Sequence, residues 1–186
     1  MKNKNAFAAG LILLIAGFVA TVLTFSLLDP HVYKPPRKRD TPHPVEAVGM
    51  HRPDFQLPDM DGKLQHVSNW DGKVVLINFW ATWCPPCLKE IPAFIDVMKS
   101  HGDKGFQVVG IAIDNRDDVM DFINSMDITY PVLWGEKDAI QLAKQLGNRI
   151  GALPYSIIMD RTGKITLTHR GELTREMLLK AINPLL

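Results

Sequence analysis

The 186-residue chain carries 21 basic and 20 acidic side chains, is 46% hydrophobic, and has only two cysteines. That length holds one globular domain with an appendage, and a mean hydropathy of −0.01 with 8% aromatics excludes a disordered chain. A net charge of +1 removes the bulk electrostatic case for nucleic-acid binding, while two cysteines exclude a disulfide-dense scaffold and a zinc site of four thiolates.

Residues 6–28 contain no charged side chain and are mostly Leu, Ile, Val, Ala and Phe. Twenty-three such residues exceed the ~20 that a helix needs to cross a bilayer. The run is too long for the apolar region of a cleaved signal, so residues 1–28 read as an uncleaved signal-anchor helix held in lipid through residues 6–28. Lys2 and Lys4 precede the span, and Lys34, Arg37, Lys38 and Arg39 follow it. Counting basic residues alone puts the C-terminal side in the cytoplasm, whereas a short N-terminal flank before a long folded domain favours export. Residues 29–48 hold five of the 13 prolines and read as a basic, semi-extended tether. The rest, residues 49–186, has 15 basic and 17 acidic side chains and reads as the working domain, net −2.

Within that domain Asp54–Val67, turning at Asp61-Gly62, is predicted to be a short hairpin. Val74–Trp80, VVLINFW, is apolar on both faces, as a central strand should be, and Phe106–Ile113, FQVVGIAI, repeats that character after a helical segment. The intervening length suits a βαβ crossover, so these two strands are expected to be parallel. A helix near 117–126, a short strand at 130–134 and a helix near 138–146 follow. Tyr155–Met159 and Ile165–Arg170 flank the turn Arg161-Thr162-Gly163-Lys164 and predict an antiparallel hairpin. A last helix starts from Thr174. Apolar strands alternating with amphipathic segments make the domain α/β.

The two cysteines, Cys84 and Cys87, lie in Trp83-Cys84-Pro85-Pro86-Cys87, just after the first core strand and at the start of a helix. C-x-x-C at that junction is a redox signature, because the spacing brings two sulfurs within disulfide reach across the first helical turn. The alternatives, two inert buried cysteines or half of a metal site, require the chain's only cysteines to fall three apart at this junction by chance. A helix N-terminus stabilises a thiolate, which marks Cys84 as the exposed nucleophile and Cys87 as the more buried resolving thiol. Pro86 stands where a second helical N–H would otherwise serve that thiolate, so the Cys84 thiolate is expected to be less stabilised and the couple more reducing.

NFWATWCPPC at 78–87, GKVVLINFW before it, PDFQLPDMDGK at 53–63 and GALPYSIIMDRTGKI at 151–165 resemble the membrane-anchored, thioredoxin-like thiol:disulfide oxidoreductases of the TlpA, ResA and CcmG (DsbE) type. The resemblance covers most of residues 49–186. It implies an α/β, thioredoxin-like three-layer α/β/α sandwich with a mixed central sheet, preceded by one N-terminal transmembrane helix. It implies too that Pro154 is a cis-proline facing the cysteines and that Leu153, Pro154, Trp83, Pro85 and Pro86 contact substrate. Glu90, three residues past Cys87, matches the acidic residue that tunes the cysteines' protonation and joins Cys84 and Cys87 as catalytic. Trp80 is expected in the core, Trp83 as a lid over the disulfide, and Pro92 where such helices bend. One departure from thioredoxin itself is Asn78, standing where its buried aspartate assists the second cysteine. An amide cannot take a proton at neutral pH, so that task falls to Glu90, water or another group.

On this reading the protein is a reductase of protein disulfides outside the cytoplasm. It needs no cofactor beyond the Cys84–Cys87 pair, is recharged by a membrane electron donor of the DsbD/CcdA type, and acts as a monomer in cytochrome c or oxidase maturation. The location implied is the bacterial cytoplasmic membrane, single-pass, with the catalytic domain on the extracytoplasmic side. Two other classes compete. Peroxiredoxins share the PDFxLPDxxG segment, but a Thr-x-x-Cys context is lacking. Copper-handling modules of the same fold use C-x-x-x-C and a further ligand, and none of the six histidines, His169 included, is spaced as part of a metal set.

Overall fold

A computed structural model describes residues 47–186. The expected anchor, and the tether up to residue 46, lie outside the described residues. Among the described residues no helix is long and apolar enough to cross a membrane. The described chain opens on Ala47, which is buried, and Gly49 N–H donates to the Ile165 carbonyl at 2.8 Å.

The first elements are β1 (Gln56–Pro58) and β2 (Leu64–His66), an antiparallel pair joined through Gly62 at φ 82°. Then come β3 (Val74–Trp80), α1 (Pro85–His101), β4 (Phe106–Ala112), α2 (Arg116–Met126), β5 (Val132–Trp134) and α3 (Lys137–Gln145). The chain closes with β6 (Tyr155–Met159), β7 (Ile165–Arg170) and α4 (Arg175–Ile182). Strand β5 starts two residues later than the sequence suggests, because Pro131 has no N–H to give a ladder. Asn115 and Thr174 cap α2 and α4, accepting from Asp117 N–H at 2.9 Å and Met177 N–H at 3.3 Å.

The five strands order as β5-β4-β3-β6-β7, with β3 parallel to β4, β4 parallel to β5, and β6 antiparallel to both neighbours. The mixed sheet expected from the sequence is thus present, with β3 and β4 as its buried centre. Pleating sends alternate β3 residues to opposite faces. Val74, Leu76 and Trp80 join Ile91, Phe94 and Val97 of α1, Val119 of α2, and Leu178 and Ile182 of α4. Val75, Ile77 and Phe79 meet Ala139, Leu142 and Ala143 of α3. Helices therefore cover both faces, as in a thioredoxin-like sandwich. Each fully buried Leu, Ile or Phe contributes about 1.5–3 kcal/mol relative to exposure.

Asn78 sits at the middle of β3, with Gly110 of β4 and Ser156 of β6 as its cross-strand partners. A Cβ at residue 110 would lie 3.1 Å from Trp80 Nε1 and 3.3 Å from Tyr130 Cε2, so the indole occupies space that only glycine leaves open.

Candidate active site

Strand β3 ends at Trp80, and the chain runs through Ala81-Thr82-Trp83 to Cys84, the N-cap of α1 at φ −100°, ψ 97°. Pro85 and Pro86 take the first two helical positions, where missing N–H groups cost no helical bond. The helix continues through Pro92 for 17 residues. Asp114 fixes the approach to Cys84: its carboxylate accepts from the Thr82 backbone N–H at 2.9 Å and from the Thr82 hydroxyl.

Cys84 and Cys87 are joined as a disulfide with Cα atoms 5.3 Å apart. Cys87 is fully buried and Cys84 is 4% exposed. The order of exposure follows expectation, but Cys84 is far less open than an exposed nucleophile, because the helix N-terminus is sunk into the cluster of Trp80, Ala81, Cys87 and Ile91. Trp83, next to Cys84 in the chain, is 65% exposed, while Trp80 is buried in the core as predicted. Pro85 is exposed and Pro86 half-buried.

The Leu153–Pro154 peptide is cis. Because Tyr155 pairs with Phe79, the start of β6 lies at the end of β3 from which the chain departs for Cys84. Leu153 packs against the cluster that holds both cysteines. The residues expected to meet substrate thus converge on one end of the sheet.

Beneath the disulfide lies a buried polar group. Glu90 is one helical turn from Cys87 and 2% exposed. Its Oε2 accepts from Leu173 N–H at 2.8 Å, and its Oε1 accepts from Asn78 Nδ2 at 2.7 Å. Asn78 Nδ2 donates also to Ser156 Oγ at 3.0 Å. Burial pushes the Glu90 carboxyl up to about 7; its two N–H donors oppose that rise and the nearby Glu172 charge adds to it. Tyr130 is held neutral by burial and by the Glu90 charge. Two polar atoms of this face, Asn78 Oδ1 and Trp80 Nε1, have no hydrogen-bond partner. Among the described residues no three His, Cys, Asp or Glu side chains are grouped to hold a metal ion.

Ser156, the Leu173 amide and Asp114 were not anticipated as site residues. The sequence did carry a signal for the first: Asn78 is the one strongly polar residue in VVLINFW and Ser156 the one hydroxyl in the middle of YSIIM. Lone polar groups in buried strands need partners, and here Asn78 Nδ2 donates to Ser156 Oγ as well as to Glu90.

Comparison with known proteins agrees with this geometry. The redoxin family model matches residues 47–182. The thiol-disulfide oxidoreductase ResA of Bacillus cereus is 30% identical over 189 residues, covering 98% of this chain and 99% of that protein. A thiol:disulfide interchange protein of the thioredoxin family from Chlorobium tepidum superposes with a TM-score of 0.67 at 28% identity, over 73% of this chain and 94% of its own. A secreted thiol-disulfide isomerase from Corynebacterium glutamicum gives 0.67 at 25% identity, over 72% and 84%.

Proposed function

Since the chain belongs to the redoxin family, and within it to the thiol-disulfide oxidoreductases of the ResA type, we propose that it reduces protein disulfides at the outer face of the cytoplasmic membrane. The observation that carries this reading is the Cys84–Cys87 disulfide at a helix N-terminus with a buried carboxyl one turn below it. In the reduced protein the Cys84 thiolate attacks a substrate disulfide, forming a mixed disulfide and releasing one substrate thiolate. Cys87 passes its proton to Glu90 and attacks the Cys84 sulfur. The second substrate thiolate leaves with that proton, and two electrons have passed to the substrate. A membrane donor of the DsbD/CcdA type returns them.

Trp83, Pro85, Pro86, Leu153 and Pro154 serve as the surface on which a partner's disulfide is aligned. The apolar run 6–28 anchors a single-pass, monomeric protein, and the tether, which stops short of the buried Ala47, carries the domain away from the bilayer. Two features support this placement: the ResA alignment extends over 98% of the chain, and one of its structural neighbours is secreted. Cytochrome c or oxidase maturation is the proposed setting. The test is trapping in the native cell. A Cys87→Ala form is expected to accumulate reductant-sensitive adducts on Cys84 with extracytoplasmic cysteine proteins. The absence of adducts, or adducts equally abundant when Cys84 is replaced as well, would sink the proposal.

The reducing direction rests on the proline at the second helical position. Pro86→His supplies an N–H at the second helical position, available for a charge-assisted bond to the Cys84 thiolate in the reduced protein. The Cys84 pKa is expected to fall by about one unit and the reduction potential to rise by about 30 mV. Thiolate absorbance at 240 nm and equilibration with glutathione measure the two, and no change in either would refute the role given to Pro86.

A further inference from the structure

Glu90 is held by an amide whose orientation is itself unusual. Asn78 turns Nδ2 toward both Glu90 Oε1 and Ser156 Oγ, and leaves Oδ1 buried without a partner. A buried carbonyl without a donor is costly, so the amide keeps this orientation only because both of its N–H groups are used. One of them goes to Glu90. The other goes to a hydroxyl 78 residues away on β6, from a side chain with no exposed surface.

From this geometry we infer that Ser156 is a positioning residue for thiol–disulfide exchange: its hydroxyl accepts one N–H of the Asn78 amide and so biases the amide toward the orientation in which Nδ2 also faces the Glu90 carboxylate. The inference rests on the proton-carrying role proposed for Glu90 and assigns part of its control to a residue that makes no hydrogen bond to either cysteine. Without the hydroxyl, the amide is free to turn its unpartnered Oδ1 toward Glu90. That arrangement repels the carboxylate and suits the protonated acid. Other groups facing Glu90 stay as they were. They are Cys87 on α1, Tyr130 ahead of β5, and Glu172 with the Leu173 N–H between β7 and α4. His169, the cross-strand neighbour of Ser156, has Nε2 on the Glu172 carbonyl at 3.1 Å.

Ser156→Ala is therefore expected to raise the Glu90 titration midpoint by about 0.7 unit, a fivefold gain in proton affinity. The midpoint is read from the Glu90 carboxyl carbon by NMR in the oxidised protein, and the pH profile of exchange is expected to move up with it. Ser156→Thr keeps the hydroxyl and should hold the midpoint near wild type, while its isostere Ser156→Val should raise it as Ala does. The Thr and Val pair also carries the test if the Ala form does not fold. An unmoved midpoint in both Ala and Val overturns the inference, as does a Thr form that shifts as far as Val. The Glu90 reading is separable, because Glu90→Gln alone tests it. If that change leaves the pH profile of exchange intact, the proton-carrying role fails whatever Ser156 does. If it abolishes the profile, Ser156→Ala added to it should move nothing further.

Discussion

Replacing Glu90 with Gln is expected to slow disulfide exchange about 100-fold at pH 7 and to flatten its dependence on pH. A positioned acid or base is worth about 10²–10⁴ in rate, and it works best when its pKa lies near the working pH. Burial brings Glu90 to about 7, so near neutrality both its forms are populated and it can take a proton from Cys87 and return it to a leaving thiolate. Asn78, at the middle of β3, cannot substitute, because its amide neither gains nor loses a proton in this range. The glutamine side chain keeps the volume and one acceptor oxygen, so packing around Ile91 and Leu173 should be preserved. Stopped-flow fluorescence with a disulfide peptide, using Trp83 as reporter, measures the rates across pH 5–9. Parallel profiles for wild type and Glu90→Gln would remove Glu90 from the mechanism.

Much of this site could be read before any coordinates, because the relevant signals are local. VVLINFW and FQVVGIAI are apolar on both faces apart from one amide each, Asn78 and Gln107, which a strand covered on both faces explains, and the cysteine spacing falls on one helical turn. The observed β3, β6 and β7 bounds match those read from the sequence. What stayed hidden is long-range. Nothing in residues 155–159 announces that β6 lies beside β3, yet that neighbour relation puts Ser156 on Asn78 and Pro154 beside the cysteines' end of the sheet. The Leu173 N–H is invisible for the same reason: it is a backbone donor 83 residues from the carboxylate it serves. Cys84 is more buried than its place at a helix N-terminus suggests, because such termini are usually solvated and this one packs into the cluster of Trp80, Ala81, Cys87 and Ile91.

The buried carboxyl has a second consequence, for stability. A group whose pKa is raised on folding binds more protons in the native state than in the unfolded one, so stability falls as pH rises between the two values. For Glu90 the window runs from the ordinary value of 4.5 to about 7. Its contribution is fully present below pH 4.5 and lost as pH climbs through 7. A shift of that size corresponds to about 3 kcal/mol. The oxidised wild-type domain is therefore expected to lose about 3 kcal/mol between pH 4.5 and 8 relative to Glu90→Gln, whose neutral amide mimics the protonated acid at every pH. Asp59 and Asp160 work in the opposite sense. Hydrogen bonds from Gln65 and from Thr162 hold their carboxyls below the usual range, so their contributions are lost only in acid, below this window. Urea unfolding of both proteins with the disulfide intact, at pH 5 and pH 8, isolates the effect. Nearly equal midpoints are expected at pH 5 and a clear advantage for Glu90→Gln at pH 8. Equal midpoints at both would mean that the carboxylate is stabilised beneath the disulfide far better than its two N–H donors account for, and that Glu90 is ionised throughout the physiological range.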